Sequence, residues 1–346
     1  MKQLIILMSI LFLPILLLEC FLQLPGATKL VQTHAAPVEW TDGMTDKNVW
    51  KDTIIMGSSL ARGSVDPAHL ELELKKRGAD RSVGSIAVPS DSLSDDYFNL
   101  YHILQTCTTC PKNILFVTTD IAFKEQLLSG WIPTSHARIR QHFMADQASF
   151  EILAKATHLN DPAYQNILTE LSSEQVPQLY FNRRKLLAIL REIIFSTLTH
   201  QRQAGAALVL TQIASDPGYG FYPVVVDLEG KDPVNSLNNY RSYLGDYKTG
   251  GSAEFFFDHF VRLAAENNIK ITMLITPLTT TYQSKFPEYI KTYHDFLIRK
   301  SAQHGLQIID EMHFNEANYE LFSDANHLNK YGAELFVPQI ATQLEL

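Results

Sequence analysis

What is scarce in this sequence narrows its function before any motif is read. Its 346 residues hold 29 Lys and Arg against 37 Asp and Glu, a formal net charge of −8. No basic run is longer than the triplets Lys75-Lys76-Arg77 and Arg183-Arg184-Lys185. Nucleic-acid phosphates are neutralised by clustered positive charge, so a nucleic-acid partner is excluded. Only 3 cysteines are present. Cys20 lies in an apolar segment, while Cys107 and Cys110 form the CxxC of CTTCPK, with no second ligand pair at zinc spacing. No metal site and no cofactor is expected. In an oxidising compartment the pair closes a small surface turn as a disulfide; the competing redox role lacks a thioredoxin-like βαβ context. There is no internal repeat and no low-complexity tract. Charged residues make up 19% against 46% apolar, a globular rather than a disordered balance. Such a length suits one large α/β domain with insertions or two modest domains.

The one long hydrophobic run opens the chain. After Lys2, residues Leu4 to Leu18 carry no charge, and the apolar stretch continues through Glu19, Cys20 and Phe21 to Leu24. A helix needs about 20 residues to cross a bilayer core, a length reached only with the second part included. Residues 1–24 therefore predict a membrane anchor. The alternative is a cleaved signal peptide, whose apolar region is about 7–15 residues. Against cleavage, Pro25-Gly26-Ala27 has proline where a small residue is wanted, and Thr33-His34-Ala35 lies far from the run. Glu19 before Cys20 argues against a lipoprotein signal. Lys2 and the α-amino group hold the N-terminus inside, with Lys29 opposing. Either way the remainder is expected to face the periplasm or the cell exterior, membrane-anchored or secreted after cleavage.

Residues 25–50, with Pro25, Gly26, Pro37 and Gly43, read as a linker, and residues 51–346 as the folded domain. Five short apolar runs in it read as buried parallel strands: 53–56, 83–88, 114–117, 271–275 and 306–309. Helical patterns lie between them. One starts at Pro67, in the first-turn position proline favours, and another at Ser94 with acidic residues in its first turn. A third spans 255–267, and a last one runs from Lys330. Alternating β and α elements predict an α/β fold, a doubly wound three-layer α/β/α sandwich on a five-stranded parallel sheet. Residues 124–250 are too many for one crossover and read as an insertion, mostly helical over 135–203. A loop rich in Gly, Pro and Tyr follows, Asp216 to Tyr222.

In such a sheet, ligands bind beyond the carboxyl ends of the strands. After the first strand comes Gly57-Ser58-Ser59, after the second Pro89-Ser90-Asp91, after the third Thr118-Thr119-Asp120, and beyond the fifth Asp324-Ala325-Asn326-His327. A glycine before two serines suits a tight nucleophile turn, although a serine there also serves as a helix N-cap. Asp-x-x-His on one loop lets the carboxylate reach one ring nitrogen and leaves the other free to take a serine proton. His327 standing alone is equally a cap for the final helix.

Taken together and in order, MGSSLARGSVDP and the later DANHLNKYGAELF resemble the SGNH hydrolase superfamily. The closer similarity is to its bacterial envelope branch, which includes the alginate O-acetylation proteins and the D-alanyl transfer protein of teichoic acids. The resemblance spans residues 52–123 and 268–346. It implies a flavodoxin-like sandwich with Ser59 as nucleophile, His327 as general base and Asp324 as its orienting partner. It also implies an oxyanion hole from the backbone N–H groups of Ser59 and Ser90, with Thr119 at the third block. The sequence departs from the family where Ser58 replaces an aspartate, Ser90 a glycine and Thr119 an asparagine. The implied activity is that of a serine esterase or O-acyltransferase on acyl esters of an envelope or exported polysaccharide. Its partners would be an acylated glycan or acyl donor, the membrane, and envelope polysaccharide assembly proteins. The alternative is a non-catalytic anchored protein that binds glycan or scaffolds such an assembly.

Other features have competing readings. Tyr219, Phe221 and Tyr222 either stack on a sugar or fold onto the core. Arg62 either meets an anionic substrate group or makes a structural salt bridge. Asp91, Asp95 and Asp96 fit a helix start better than a calcium site. Asp310 with His313 is a second Asp-x-x-His, but no helix of the expected pattern follows it.

Overall fold

The computed structural model describes residues 51–87, 92–107, 109–125 and 247–344, together with 152, 165, 228, 230–235, 237 and 240. All of them belong to one compact unit, Met44–Leu168 with Asp216–Leu346. The expected anchor over 1–24, the linker over 25–50, Ser90, Asp91 and the loop Asp216–Tyr222 lie outside the described residues. So does the stretch 135–203, apart from Ile152 and Gln165, which are helical. Among the described residues no helix is long and apolar enough to cross a membrane.

Five strands form one parallel sheet: β1 (Thr53–Gly57), β2 (Val83–Ser85), β3 (Asn113–Thr118), β4 (Lys270–Ile275) and β5 (Gln307–Asp310). Their order is β2-β1-β3-β4-β5. All five expected strands are present. The second is shorter than its apolar run, because β2 is an edge strand whose single ladder ends once the Ile86 N–H has donated to the Ile55 carbonyl at 2.9 Å. The chain winds outward from β1 to β2, then back across to β3. The crevice of a doubly wound sheet therefore opens above β1 and β3.

The helices between are α1 (Ser59–Ser64), α2 (Pro67–Lys76), α3 (Leu93–Thr106), α4 (Gly251–Glu266), α5 (Thr280–Lys285), α6 (Pro287–His304) and α7 (Lys330–Ala341). Their starts are legible in local chemistry. Asp66 accepts the N–H groups of Ala68 and His69, with Pro67 in the first turn of α2. Ser92 and Asp95 form a capping box at α3, which gives Asp95 its helix-start role.

Side chains alternate across the sheet, and helices cover both faces. On one face Ile55, Leu115, Val117, Leu274 and Ile309 pack with Leu60 of α1, Leu70 and Leu74 of α2, and Phe336, Val337 and Ile340 of α7. The other face is aromatic. Phe116 meets Phe257 and Phe260 of α4, Phe98 of α3 meets Phe256, and Phe123 meets Phe257 and Phe296 of α6. Lys300, only 1% exposed, ties α6 to α4 by donating to Asp258 at 2.7 and 2.8 Å and to Glu254 at 2.7 Å. A buried cation left without such partners would be costly.

The insertion leaves and rejoins the sandwich at one point. Lys124 and Thr249 form an antiparallel bridge, and the Glu125 N–H donates to the Lys248 carbonyl at 2.7 Å. With both ends pinned together, the length of chain between them costs the sheet little.

Cys107 caps the end of α3 and is disulfide-bonded to Cys110. Closing so short a loop contributes about 2 kcal/mol at most.

Candidate active site

The turn after β1 is built on Gly57. Its φ is +126°, and a Cβ there would stand 2.4 Å from the carbonyl oxygen of Val117, its partner on β3. Only glycine keeps the strands paired while the chain turns upward. Ser58 follows as the N-cap of α1, buried and making no capping bond from its side chain. Ser59 is the first helical residue and remains partly exposed. The capping role therefore falls one residue earlier. Instead, Ser59 Oγ lies 2.9 Å from His327 Nε2.

His327 comes from the loop between β5 and α7. Asp324 Oδ1 lies 3.0 Å from His327 Nδ1 and also accepts the N–H groups of Asn326 and His327, each at 2.9 Å. The Asp-x-x-His turn is thereby fixed by its own carboxylate. Thr279 clasps it from outside, its hydroxyl and N–H both donating to the Ala325 carbonyl at 2.8 and 3.1 Å. Asn329 then caps α7 by accepting the Gly332 N–H at 3.0 Å. With the ring proton on Nδ1 facing Asp324, Nε2 is left to accept from the serine hydroxyl. That tautomer satisfies all three groups.

The charges reinforce the geometry. Burial works against the imidazolium of His327, but the Asp324 carboxylate outweighs it by charge and by hydrogen bond. Asp120 adds a further push, and the His327 pKa stands above its ordinary value. Burial likewise opposes ionisation of Asp324, yet His327 and the two backbone N–H groups win, holding its carboxyl below the usual range. The His327 side chain keeps 20% of its exposure and Asp324 33%, so the pair is reachable from solvent.

The remaining candidates are placed less directly. Ser90 lies outside the described residues. Thr119 is buried just beyond β3, and its hydroxyl donates to Asp120 Oδ1 at 3.3 Å, with no described bond to Ser59. Arg62 is half-buried on α1, one turn after Ser59. The second Asp-x-x-His does not come together: His313, 73% exposed, pairs with Glu316 at 2.5 Å, and Asp310 pairs with His294 at 2.8 Å. Among the described residues no cluster of three or more His, Cys, Asp or Glu is arranged to hold a metal ion.

One group of residues had no reading in the sequence. Asp120, 2% exposed, accepts the Tyr282 hydroxyl at 2.5 Å and the Ile121 N–H at 2.9 Å. Tyr247 donates to the Asp120 backbone carbonyl at 2.8 Å, and the Tyr293 hydroxyl bonds Thr118 at 2.6 Å. Tyr240 donates to Asn326 Oδ1 at 2.6 Å, inside the Asp-x-x-His turn, and sets its ring edge-on to Tyr282. The only signal was positional, since Asp120 directly follows a strand exit above the sheet.

Compared with known proteins, the chain matches no family model, and no curated protein matches it in sequence. Chemically, a partly exposed hydroxyl hydrogen-bonded to an imidazole that is itself oriented by a carboxylate is an arrangement able to activate serine as a nucleophile.

Proposed function

We propose that the protein is an SGNH-type serine esterase or O-acyltransferase, acting outside the cytoplasm on acyl esters of an envelope or exported polysaccharide. The observation that carries this reading is the continuous relay from Ser59 Oγ through His327 to Asp324, with contacts of 2.9 and 3.0 Å. As Ser59 Oγ bonds to the acyl carbon, His327 Nε2 takes the hydroxyl proton and Asp324 stabilises the imidazolium. The tetrahedral oxyanion is held by the backbone N–H of Ser59, with that of Ser90 as the second donor. Its collapse breaks the bond to the leaving alcohol, which receives the proton from His327. An acyl-Ser59 remains. Water, deprotonated by the same imidazole, completes an esterase cycle; a sugar hydroxyl completes an acyl transfer.

A fluorophosphonate probe tests this directly. Wild-type protein is expected to label on one serine, and Ser59→Ala to abolish the label. The base must be neutral, and its pKa is raised by Asp324. Labelling should therefore climb with pH through a midpoint above about 6.5, the ordinary histidine value. Folded protein that takes no label favours the second reading, a non-catalytic glycan-binding or scaffolding protein. The observation on that side is Thr119, whose hydroxyl turns to Asp120.

The location outside the cytoplasm is supported by the apolar segment 1–24 and by the Cys107–Cys110 disulfide, a bond that persists in oxidising compartments. Alkaline phosphatase fused to the C-terminus is expected to be active, and a stable but inactive fusion would overturn the assignment.

A further inference from the structure

We propose that Asp120 and Tyr282 are positioning residues for His327, a buried carboxyl–phenol pair that fixes the Asp324–His327 turn and adds a second negative charge to the field at the imidazole. The proposal rests on reading His327 as the general base. It starts from register. Gly57 of β1 is paired with Val117 of β3, so Ser59 and Thr119 leave neighbouring strands at the same level, and Asp120 stands one residue beyond. The carboxyl is then linked to the turn by bonded atoms. Asp120 accepts the Tyr282 hydroxyl at 2.5 Å, and the Tyr282 N–H donates to the Thr279 hydroxyl oxygen at 3.3 Å. That hydroxyl donates in turn to the carbonyl of Ala325, between Asp324 and His327. A second path runs over the surface of the first, because Tyr240 packs on the Tyr282 ring and bonds Asn326.

The groups facing Asp120 come from each element around it. They are Tyr282 of α5, Tyr289 and Tyr293 of α6, Tyr247 ahead of α4, Thr119 at the exit of β3, and His327 ahead of α7. Burial first, and the charge of Asp120 after it, hold the Tyr247, Tyr282, Tyr289 and Tyr293 phenols well above the ordinary tyrosine range. These phenols stay protonated; Tyr282 donates to the carboxylate, while Tyr247 donates to the Asp120 backbone carbonyl and Tyr293 bonds Thr118. Burial raises the Asp120 pKa, while Tyr282, Tyr289, the Ile121 N–H and Thr119 oppose the rise. Tyr289 does so without a well-formed hydrogen bond of its own. The charge of Asp120 adds to that of Asp324 in raising the His327 pKa, as the smaller of the two. The ionised form of Asp120 favours the imidazolium that appears as Ser59 is deprotonated.

The test is a ring-resonance NMR titration of His327 in the full chain, its signal assigned by loss in His327→Gln. Asp120→Asn keeps the shape of the carboxyl and removes its charge, so the His327 midpoint is expected to fall. Tyr282→Phe removes the donor that favours the carboxylate, and the midpoint is expected to fall less. An unmoved or raised midpoint in a variant with native circular dichroism overturns the proposal. If Asp120→Asn does not fold, Tyr282→Phe alone decides. The titration needs no turnover, so it is independent of fluorophosphonate labelling. A labelling failure sinks the enzymatic reading and leaves the titration to judge Asp120. Where labelling occurs, the pH midpoint of its rate should move down together with the titration.

Discussion

Ser59→Ala is expected to lower kcat for a chromogenic acyl ester by roughly 10⁴- to 10⁶-fold, and His327→Ala by a similar factor. The double variant should be no worse than either single one. The two side chains act as one unit, since a hydroxyl 2.9 Å from its base is a weak nucleophile once the base is gone. Asp324→Asn should cost less, roughly 10⁴-fold, because the serine–imidazole contact survives while the ring loses the acceptor that fixes its tautomer. The measurement is a steady-state comparison of the four variants with wild type, with folding checked by circular dichroism. Losses from Ser59 and His327 that multiply in the double variant would mean that the two act separately, and the relay would be wrong.

The second large effect concerns stability. Gly57→Ala is expected to destabilise the fold by about 3 kcal/mol or more, the combined cost of a side chain in a left-handed backbone and of a methyl group forced against backbone. The new Cβ would stand 2.4 Å from the Val117 carbonyl, which belongs to a paired central strand and cannot swing aside as a side chain could. Gly63 on α1 is the control. The nearest atom to its added Cβ is the Leu328 carbonyl oxygen at 4.0 Å, and alanine favours helices, so Gly63→Ala should be neutral or slightly stabilising. Urea unfolding of the three proteins checks the pair. Equal midpoints for wild type and Gly57→Ala would remove the steric account of the turn.

Much of this architecture is legible in residue order. Buried parallel strands need apolar side chains on both faces, so β1 to β5 stand out as short apolar runs, and the sheet edge they share indicates where to look for chemistry. Pro67 and the acidic residues after Ser94 mark the first turns of α2 and α3 in the same local way. The resemblance stops at 123, and the bridge between Lys124 and Thr249 closes one residue later. The Asp120 enclosure was not visible. Its phenols come from positions 247, 282, 289 and 293, where tyrosine reads as an ordinary apolar face of a helix or loop. Hydroxyl direction, unlike hydrophobic period, leaves no trace in spacing. The length of β2 was hidden for a related reason: apolar character reports burial, and Ile86 and Ala87 stay buried after their ladder has ended.

Ser59 and His327 lie 268 residues apart, just after the first strand and beyond the last. During synthesis Ser59 is complete while the imidazole has not yet been made, and no partly built sheet contains both. In the proposed enzyme, competence for chemistry is thus a property of the finished molecule alone. A chain still being translated, or one clipped before its final loop, would carry the Ser59 hydroxyl without its proposed base.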